Sequence, residues 1–280
     1  MTSHSKHLRS LTLMGVALLG AATLSACTAE QDSAGNTETS SKTEADRPRL
    51  DAIKKANQLK VCTTGDYRPF TYLDPESGEW SGIDIDMAQD LAEELGVEVE
   101  FVQTSWKNLM PDFLEKCDMA VGGVSISLER AEQAYFSDAT LDEGKTPITL
   151  CENVEKYDTV KEINQPGVRS ITPIGGTNEK FADEHYPEGE IIRFEDNNAI
   201  FDEIIAGRAD VMTTDASETR WVAHEKPELC AVHPDKPFNF SQKAYMLPRG
   251  DETFRQYVNQ WLNMSKNDGT LKQAEKPWFG

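Results

Sequence analysis

From residue 59 onward the chain alternates between two hydrophobic periods. Residues 59–64, LKVCTT, are an apolar, β-branched run that predicts a strand. Residues 83–95, IDIDMAQDLAEEL, put Met87, Ala88, Leu91 and Leu95 on one face at helical spacing, and Gly96 follows as the expected stop. Residues 97–102, VEVEFV, alternate at period two. A second helix is predicted over 106–116, where Leu109, Met110, Phe113 and Leu114 share a face and Pro111 marks a break or a start; a short strand is predicted at 118–123. The rhythm returns after residue 160. Strands are expected at 167–174, 190–194 and 210–214, with helices opening at Thr177, over 199–206 and from Ser217.

Strands alternating with helices predict parallel-rich sheets covered on both faces, and two such sets predict two α/β lobes. The extended segments 145–151 and 240–248 have no helical period and are expected to cross between the lobes as a two-stranded hinge. The C-terminal helix carrying Phe254, Tyr257, Val258, Trp261 and Leu262 then belongs with the first lobe. The expected division is residues 48–147 plus 243–280 for the first lobe and 148–242 for the second. A ligand cleft lies between them, at strand ends and helix N-termini.

The N-terminal stretch follows a different pattern. Lys6 and Arg9 precede an almost unbroken apolar run over 11–24, too short for a membrane span and suited to an export signal ending in Leu24-Ser25-Ala26-Cys27. This resembles a lipobox, which predicts removal of residues 1–26 and lipidation of Cys27, so that the protein meets the membrane through a lipid anchor on the extracytoplasmic face. Residues 28–47 contain no aromatic residue and no Leu, Ile, Val or Met, so they are expected to act as a disordered tether.

Composition narrows the function. Against 28 Lys and Arg stand 48 Asp and Glu in 280 residues, a formal charge of −20 that argues against a nucleic-acid partner. The four cysteines beyond Cys27 lie in an oxidising space, where three pairings are possible. Cys151 with Cys230 is the first choice, because both fall in the second lobe; Cys62 and Cys117 pair or remain buried thiols. The five histidines show no metal-ligand spacing, and neither a nucleotide loop nor a nucleophile elbow is present, so no metal or cofactor is expected.

The runs TTGDYRPFTY (63–72), GIDIDMAQDLAEELG (82–96), GGVSISLERAEQAYFSD (122–138) and GGTNEKF (175–181) resemble the type II periplasmic solute-binding family, the extracellular receptors of amino-acid ABC transporters. Longer runs, including FDEIIAGRADVMTTDASETR (201–220) and LCAVHPDKPFNFSQKAYMLPR (229–249), resemble the enzymatic branch of that family, the cyclohexadienyl dehydratases. That resemblance implies an exported lyase that removes water and carbon dioxide from prephenate and arogenate. The alternative is a receptor that hands an amino acid to an ABC permease.

Arg130 follows a strand-to-helix loop, and the resemblance makes it the bidentate clamp on a substrate carboxylate, helped by Ser125. Thr177 and Asn178 sit in a glycine turn at a helix N-terminus, an anion-binding position that simple capping also explains. The resemblance assigns the general acid to Glu179; an acid in a first helical turn is also favoured by the helix dipole alone. Tyr67 and Trp106 are expected to sandwich the substrate ring, or else to be core. Asp66 and Asp215 resemble the acids that face a ligand amine, with N-capping the competing account for Asp215.

Overall fold

The computed structural model describes residues 48–279, so the export signal, Cys27 and the tether lie outside the described residues. The alternation of periods produces the expected two α/β lobes. In the first, the five-stranded sheet runs Glu98–Gln103, Gln58–Thr63, Met119–Ala120, Met246–Pro248, Ala134–Phe136. In the second it runs Glu190–Phe194, Arg169–Pro173, Val211–Asp215, Lys145–Leu150, Leu229–Ala231.

Each sheet is mixed. Its first three strands are parallel, as helical crossovers require. Only the fourth strand of each sheet runs antiparallel to these, because it belongs to a segment that arrives from the other lobe: Met246–Pro248 against Met119–Ala120, and Lys145–Leu150 against Val211–Asp215. The fifth strand pairs antiparallel with the fourth.

The crossing lies a few residues earlier than expected. Lys145, Thr146 and Pro147 already pair with Asp215, Thr214 and Thr213 inside the second sheet. The strands that span the lobes are Leu141–Glu143 and Ser241–Lys243, an antiparallel pair.

Local departures have local causes. The helix predicted from Trp106 begins instead at Leu109 and runs to Lys116. Pro111 is its third residue, where a missing N–H leaves no intrahelical bond unmade, and Trp106 stays in the preceding turn. The C-terminal segment is two helices, Glu252–Asp268 and Thr270–Phe279, separated by Gly269 in a left-handed conformation. An unpredicted helix, Pro48–Ala56, contributes Leu50 and Ile53 to the first-lobe core beside Leu59, Leu91 and Val258. The second lobe is built around Ile148, Ile171, Ile200, Ile204 and Met212.

Each lobe carries its own staple. Cys62–Cys117 ties the strand Gln58–Thr63 to the end of the helix Leu109–Lys116, and Cys151–Cys230 joins two segments of the second lobe. The first-choice pairing is thus present, and the remaining two cysteines also pair.

The lobes meet along both rims. On one side the Arg68 guanidinium lies 3.1 Å over the Tyr72 ring and 5.1 Å from Trp221 of the second lobe, and donates to Asn198 Oδ1 at 3.1 Å. Trp221 is in turn 6.2 Å from Trp278 of the last helix. On the other side Lys180 pairs with Glu129.

Candidate functional site

Between the lobes lies a small inner chamber of about 20 Å³, lined by Tyr67, Trp106, Gly123 and Ser125 from the first lobe and by Gly175, Thr177, Asn178 and Asp215 from the second, with Lys243 at the crossing. The first-lobe wall is held by a buried acid that local pattern does not reveal. Asp84 accepts from the backbone N–H of Gly122 and Gly123 at 2.8 and 2.7 Å. A side chain at Gly123 would press on the Tyr67 and Phe70 rings, with a Cβ only 2.7 and 2.5 Å away.

Opposite stands Gly175, at φ 82°, where a Cβ would lie 2.7 Å from the backbone N of Lys107 in the first lobe. This contact exists only while the lobes are shut. Gly175→Ala is therefore expected to fold normally yet raise KM about tenfold or more, because a backbone clash and a left-handed alanine oppose closure. Unchanged KM in steady-state kinetics would rule that out.

At the centre is a network of buried charges. Asp215 Oδ1 lies 2.9 Å from Lys145 Nζ, while Oδ2 takes hydrogen bonds from Lys243 and, at 2.6 Å, from the Tyr67 hydroxyl. Burial alone would raise the Asp215 carboxyl, but the two lysines and these hydrogen bonds outweigh it and hold the group well below the usual carboxylate range. Burial pulls Lys145 downward against the attraction of Asp215. Lys243 also donates to Ser125 Oγ at 2.9 Å and approaches Glu143 Oε1 at 3.5 Å. Glu143, on the crossing strand, is pushed up by burial although Lys243 opposes this.

From this centre a hydrogen-bonded chain leads to a second acid. Lys145 donates to Asn178 Oδ1, Asn178 Nδ2 donates to Thr214 Oγ1 at 2.9 Å, and Thr214 donates to Glu218 Oε2 at 2.6 Å. Glu218 Oε1 accepts from Asn197 at 3.1 Å. Burial drives the Glu218 carboxyl up to about 8; the Thr214 and Asn197 hydrogen bonds pull against that, while Asp215 and Asp66 reinforce it. At neutral pH Glu218 is thus mostly a neutral carboxylic acid.

The sequence-predicted residues divide accordingly. Tyr67, Trp106, Ser125, Thr177, Asn178 and Asp215 are brought together around the chamber. Tyr67 and Trp106 meet edge to face, at 5.3 Å and 82°, so they form a corner rather than the expected sandwich. Asp215 starts the helix Ala216–Glu225 without a side-chain capping bond, and its two lysine partners occupy the carboxylate that was expected to meet a ligand amine. Asp66 lies at the seam, where its backbone carbonyl accepts from Asn197 of the second lobe at 2.8 Å, and burial raises its carboxyl.

Arg130 lies one wall away. It lines a neighbouring cavity of about 250 Å³ that shares Trp106, Gly175, Gly176 and Thr177 with the inner chamber, and its Nη1 donates to the Ser125 carbonyl at 2.8 Å.

Glu179 is placed differently from its expected role. Its Oε2 accepts from the Gly175 N–H at 2.7 Å, and its Oε1 is 2.6 Å from Arg193 Nε, so both oxygens serve the helix start and a surface ion pair. Neither Glu179 nor Glu218 lines the inner chamber; what separates them is that Glu179 is held in a surface ion pair while Glu218 is buried and hydrogen-bonded to the chamber wall through Thr214 and Asn178. Glu179→Gln is expected to keep turnover within about threefold and to cost no more than about 1 kcal/mol in denaturant unfolding, the scale of an exposed pair or a helix-end charge. A hundredfold loss of kcat would restore it to the chemistry.

The chain belongs to the bacterial extracellular solute-binding proteins, family 3, whose model matches residues 59–280. Within that class it is 50% identical over 241 residues to the cyclohexadienyl dehydratase of Pseudomonas aeruginosa, covering 86% of this chain and 89% of that protein. It is 27% identical to the ABC transporter glutamine-binding protein GlnH of Bacillus subtilis, over 88% of this chain and 90% of that one. Among solved structures it resembles AncCDT-1, an ancestral amino acid-binding protein described as a precursor of cyclohexadienyl dehydratase, at TM-score 0.76 and 35% identity, covering 82% of this chain and 99% of the other. An ancestral cyclohexadienyl dehydratase is 48% identical, with a TM-score of 0.51 and coverages of 82% and 95%.

Proposed function

We propose that the protein is an exported cyclohexadienyl dehydratase that converts prephenate to phenylpyruvate and arogenate to phenylalanine, with Glu218 as the general acid. The observation that carries this reading is a fully buried carboxyl group, pushed toward its neutral form by that burial and linked by hydrogen bonds to the wall of a cationic chamber. An amino-acid receptor has no need of such an acid, and its ligand amine needs a free carboxylate. Of the two acids expected to face such an amine, Asp215 is already taken by Lys145 and Lys243, which leaves Asp66.

The reaction requires little beyond a proton and placement. The ring hydroxyl leaves as water when it takes the Glu218 proton. The electron pair of the ring–carboxylate bond moves into the ring as carbon dioxide departs, and the ring becomes aromatic. Protonating the leaving group is general acid catalysis, contributing about 10² to 10⁴ in rate. The two lysines face one firmly ionised carboxylate, Asp215, while burial pushes Glu143 and Glu218 toward their neutral forms. The chamber therefore suits an anionic substrate. Arg130, Thr177 and Ser125 supply further donors for its carboxylates, and Trp106 and Tyr67 an apolar corner for its ring.

A chamber of about 20 Å³ holds roughly one water molecule. Substrate access thus requires the lobes to part about the Leu141–Glu143 and Ser241–Lys243 strands, and reclosure shuts out bulk water before the proton moves. The deciding assay mixes the purified protein with prephenate and with arogenate and follows phenylpyruvate and phenylalanine against an enzyme-free control. Conversion of neither, with tight binding of an amino acid, would replace this reading by that of a transport receptor.

The lipobox supports a membrane-anchored form in which acylated Cys27 is the first residue and residues 28–47 act as spacer. Cys27→Ala is expected to move the protein from the membrane fraction to the soluble one, and a wild-type protein already soluble and unacylated by mass spectrometry would rule the anchor out.

A further inference from the structure

Asn197 precedes the helix Ile200–Ile205 and is completely buried. One amide nitrogen serves two acceptors on opposite sides of the seam. Nδ2 donates to the backbone carbonyl of Asp66 in the first lobe at 2.8 Å and to Glu218 Oε1 in the second at 3.1 Å. The other Glu218 oxygen is held from within its own lobe, by Thr214. Thr214 therefore fixes one end of the carboxyl whether or not the lobes are shut. The other end depends on an amide whose own orientation depends on the first lobe. The Asn197 Oδ1 atom is buried and has no hydrogen-bond partner among the described residues, so the amide is held in place by its Nδ2 bonds alone.

We propose that Asn197 is a positioning residue that sets the Glu218 carboxyl for proton delivery only when the two lobes are closed. When the lobes part, the Asp66 carbonyl withdraws, the amide loses its anchor, and the acid is no longer aimed. When they close, one bond re-forms across the seam and the same nitrogen restrains Oε1. Chemistry is thereby confined to the closed state, in which solvent is excluded. This inference rests on the reading of Glu218 as the acid.

Asn197 donates to Glu218, so it favours the ionised form and opposes the effects of burial and of the neighbouring charges. Those neighbours are Asp215 at the start of the Glu218 helix, itself paired with Lys145 and Lys243, and Asp66 and Tyr67 from the first lobe, with Asp196 acting on Asp66. Removing the amide is expected to move the basic limb of the kcat/KM profile to higher pH, a change that a purely structural lobe tether would not cause.

The test measures prephenate turnover from pH 5 to 10 for wild type, Asn197→Ala and Glu218→Gln, all as the purified protein. Asn197→Ala is expected to lower kcat below the limb about ten- to a hundredfold, the scale of a misplaced catalytic group, and to shift the limb upward. If Asn197→Ala does not fold, Asn197→Asp keeps the shape while removing the donor, and its added charge moves the limb in the same direction. Raised KM with unchanged kcat and an unmoved limb would overturn the inference while leaving Glu218 in place, provided Glu218→Gln is inactive. Near wild-type turnover in Glu218→Gln would instead overturn the acid assignment, and this inference with it.

Discussion

Glu218→Gln is expected to lose turnover of prephenate by about 10² to 10⁴ while still binding phenylpyruvate within a few-fold of wild type. Gln keeps the shape of the side chain, and its amide oxygen still accepts the Thr214 hydrogen bond, although its NH2 then faces the Asn197 donor and that bond is lost. What it lacks is an acidic proton. In the wild type the same group is expected to set the alkaline side of the pH profile. The acid is competent only when protonated, and its carboxyl titrates at about 8, so kcat/KM falls as pH rises through that value. An ordinary exposed Glu would have lost its proton far below neutrality. Stopped assays at pH 7 on the variant, and a kcat/KM profile on the wild type, test both halves. A flat profile from pH 6 to 9, or a variant that turns over normally, would remove Glu218 from the mechanism.

Asp215→Asn has the largest expected effect on stability, about 3–5 kcal/mol, because it leaves two buried ammonium groups without their shared counter-charge. Its side chain is 2% exposed, so solvent screening offers no relief. The sign of the pH dependence follows from the direction of the shift. A carboxyl held below its unfolded value of 3.8 stabilises the fold at pH above that value and loses the contribution as pH falls toward the folded value. The gap between wild type and variant is therefore constant through the neutral range and narrows below about pH 4. Denaturant unfolding at pH 7 and at pH 3.5 measures both quantities. A loss under 1 kcal/mol at pH 7 would mean that the lysines shed their protons or reach water at little cost.

The fold was legible because its information is periodic. The helix Ile83–Leu95 falls on the residues where the apolar spacing and Gly96 place it, and Glu190–Phe194 coincides with its predicted strand. The site was legible where a motif sits on a turn, as with Thr177 and Asn178 beyond the two glycines, and where an aromatic stands at a strand end, as with Tyr67.

The proposed acid, Glu218, was not legible, for a physical reason. Glu179 and Glu218 both occupy the first turn of a helix, and local pattern gives them equal standing. What separates them is tertiary. Glu179 faces Arg193 on the neighbouring strand and remains partly in contact with solvent. Glu218 faces the seam, where the other lobe removes its water. Lys145 and Lys243 escaped for a related reason. Each lies in an extended segment that reads as a connector. Their meeting at Asp215 depends on the two connectors converging from distant parts of the chain.

The aromatic contact across the rim gives the molecule a built-in optical gauge. Of the five tryptophans, Trp261 is bonded to Asp90 at 2.7 Å and Trp80 rests on Phe101 at 5.5 Å, both within the first lobe. Trp221 instead owes its surroundings to Arg68 and Trp278 on the opposite side, and Trp106 to the shared chamber wall. Intrinsic emission from this protein is thus divided between a steady background and a fraction that responds to the angle between the halves. Unlabelled enzyme in a rapid-mixing fluorimeter will report how fast it shuts on prephenate, and whether reopening rather than bond breaking limits each cycle.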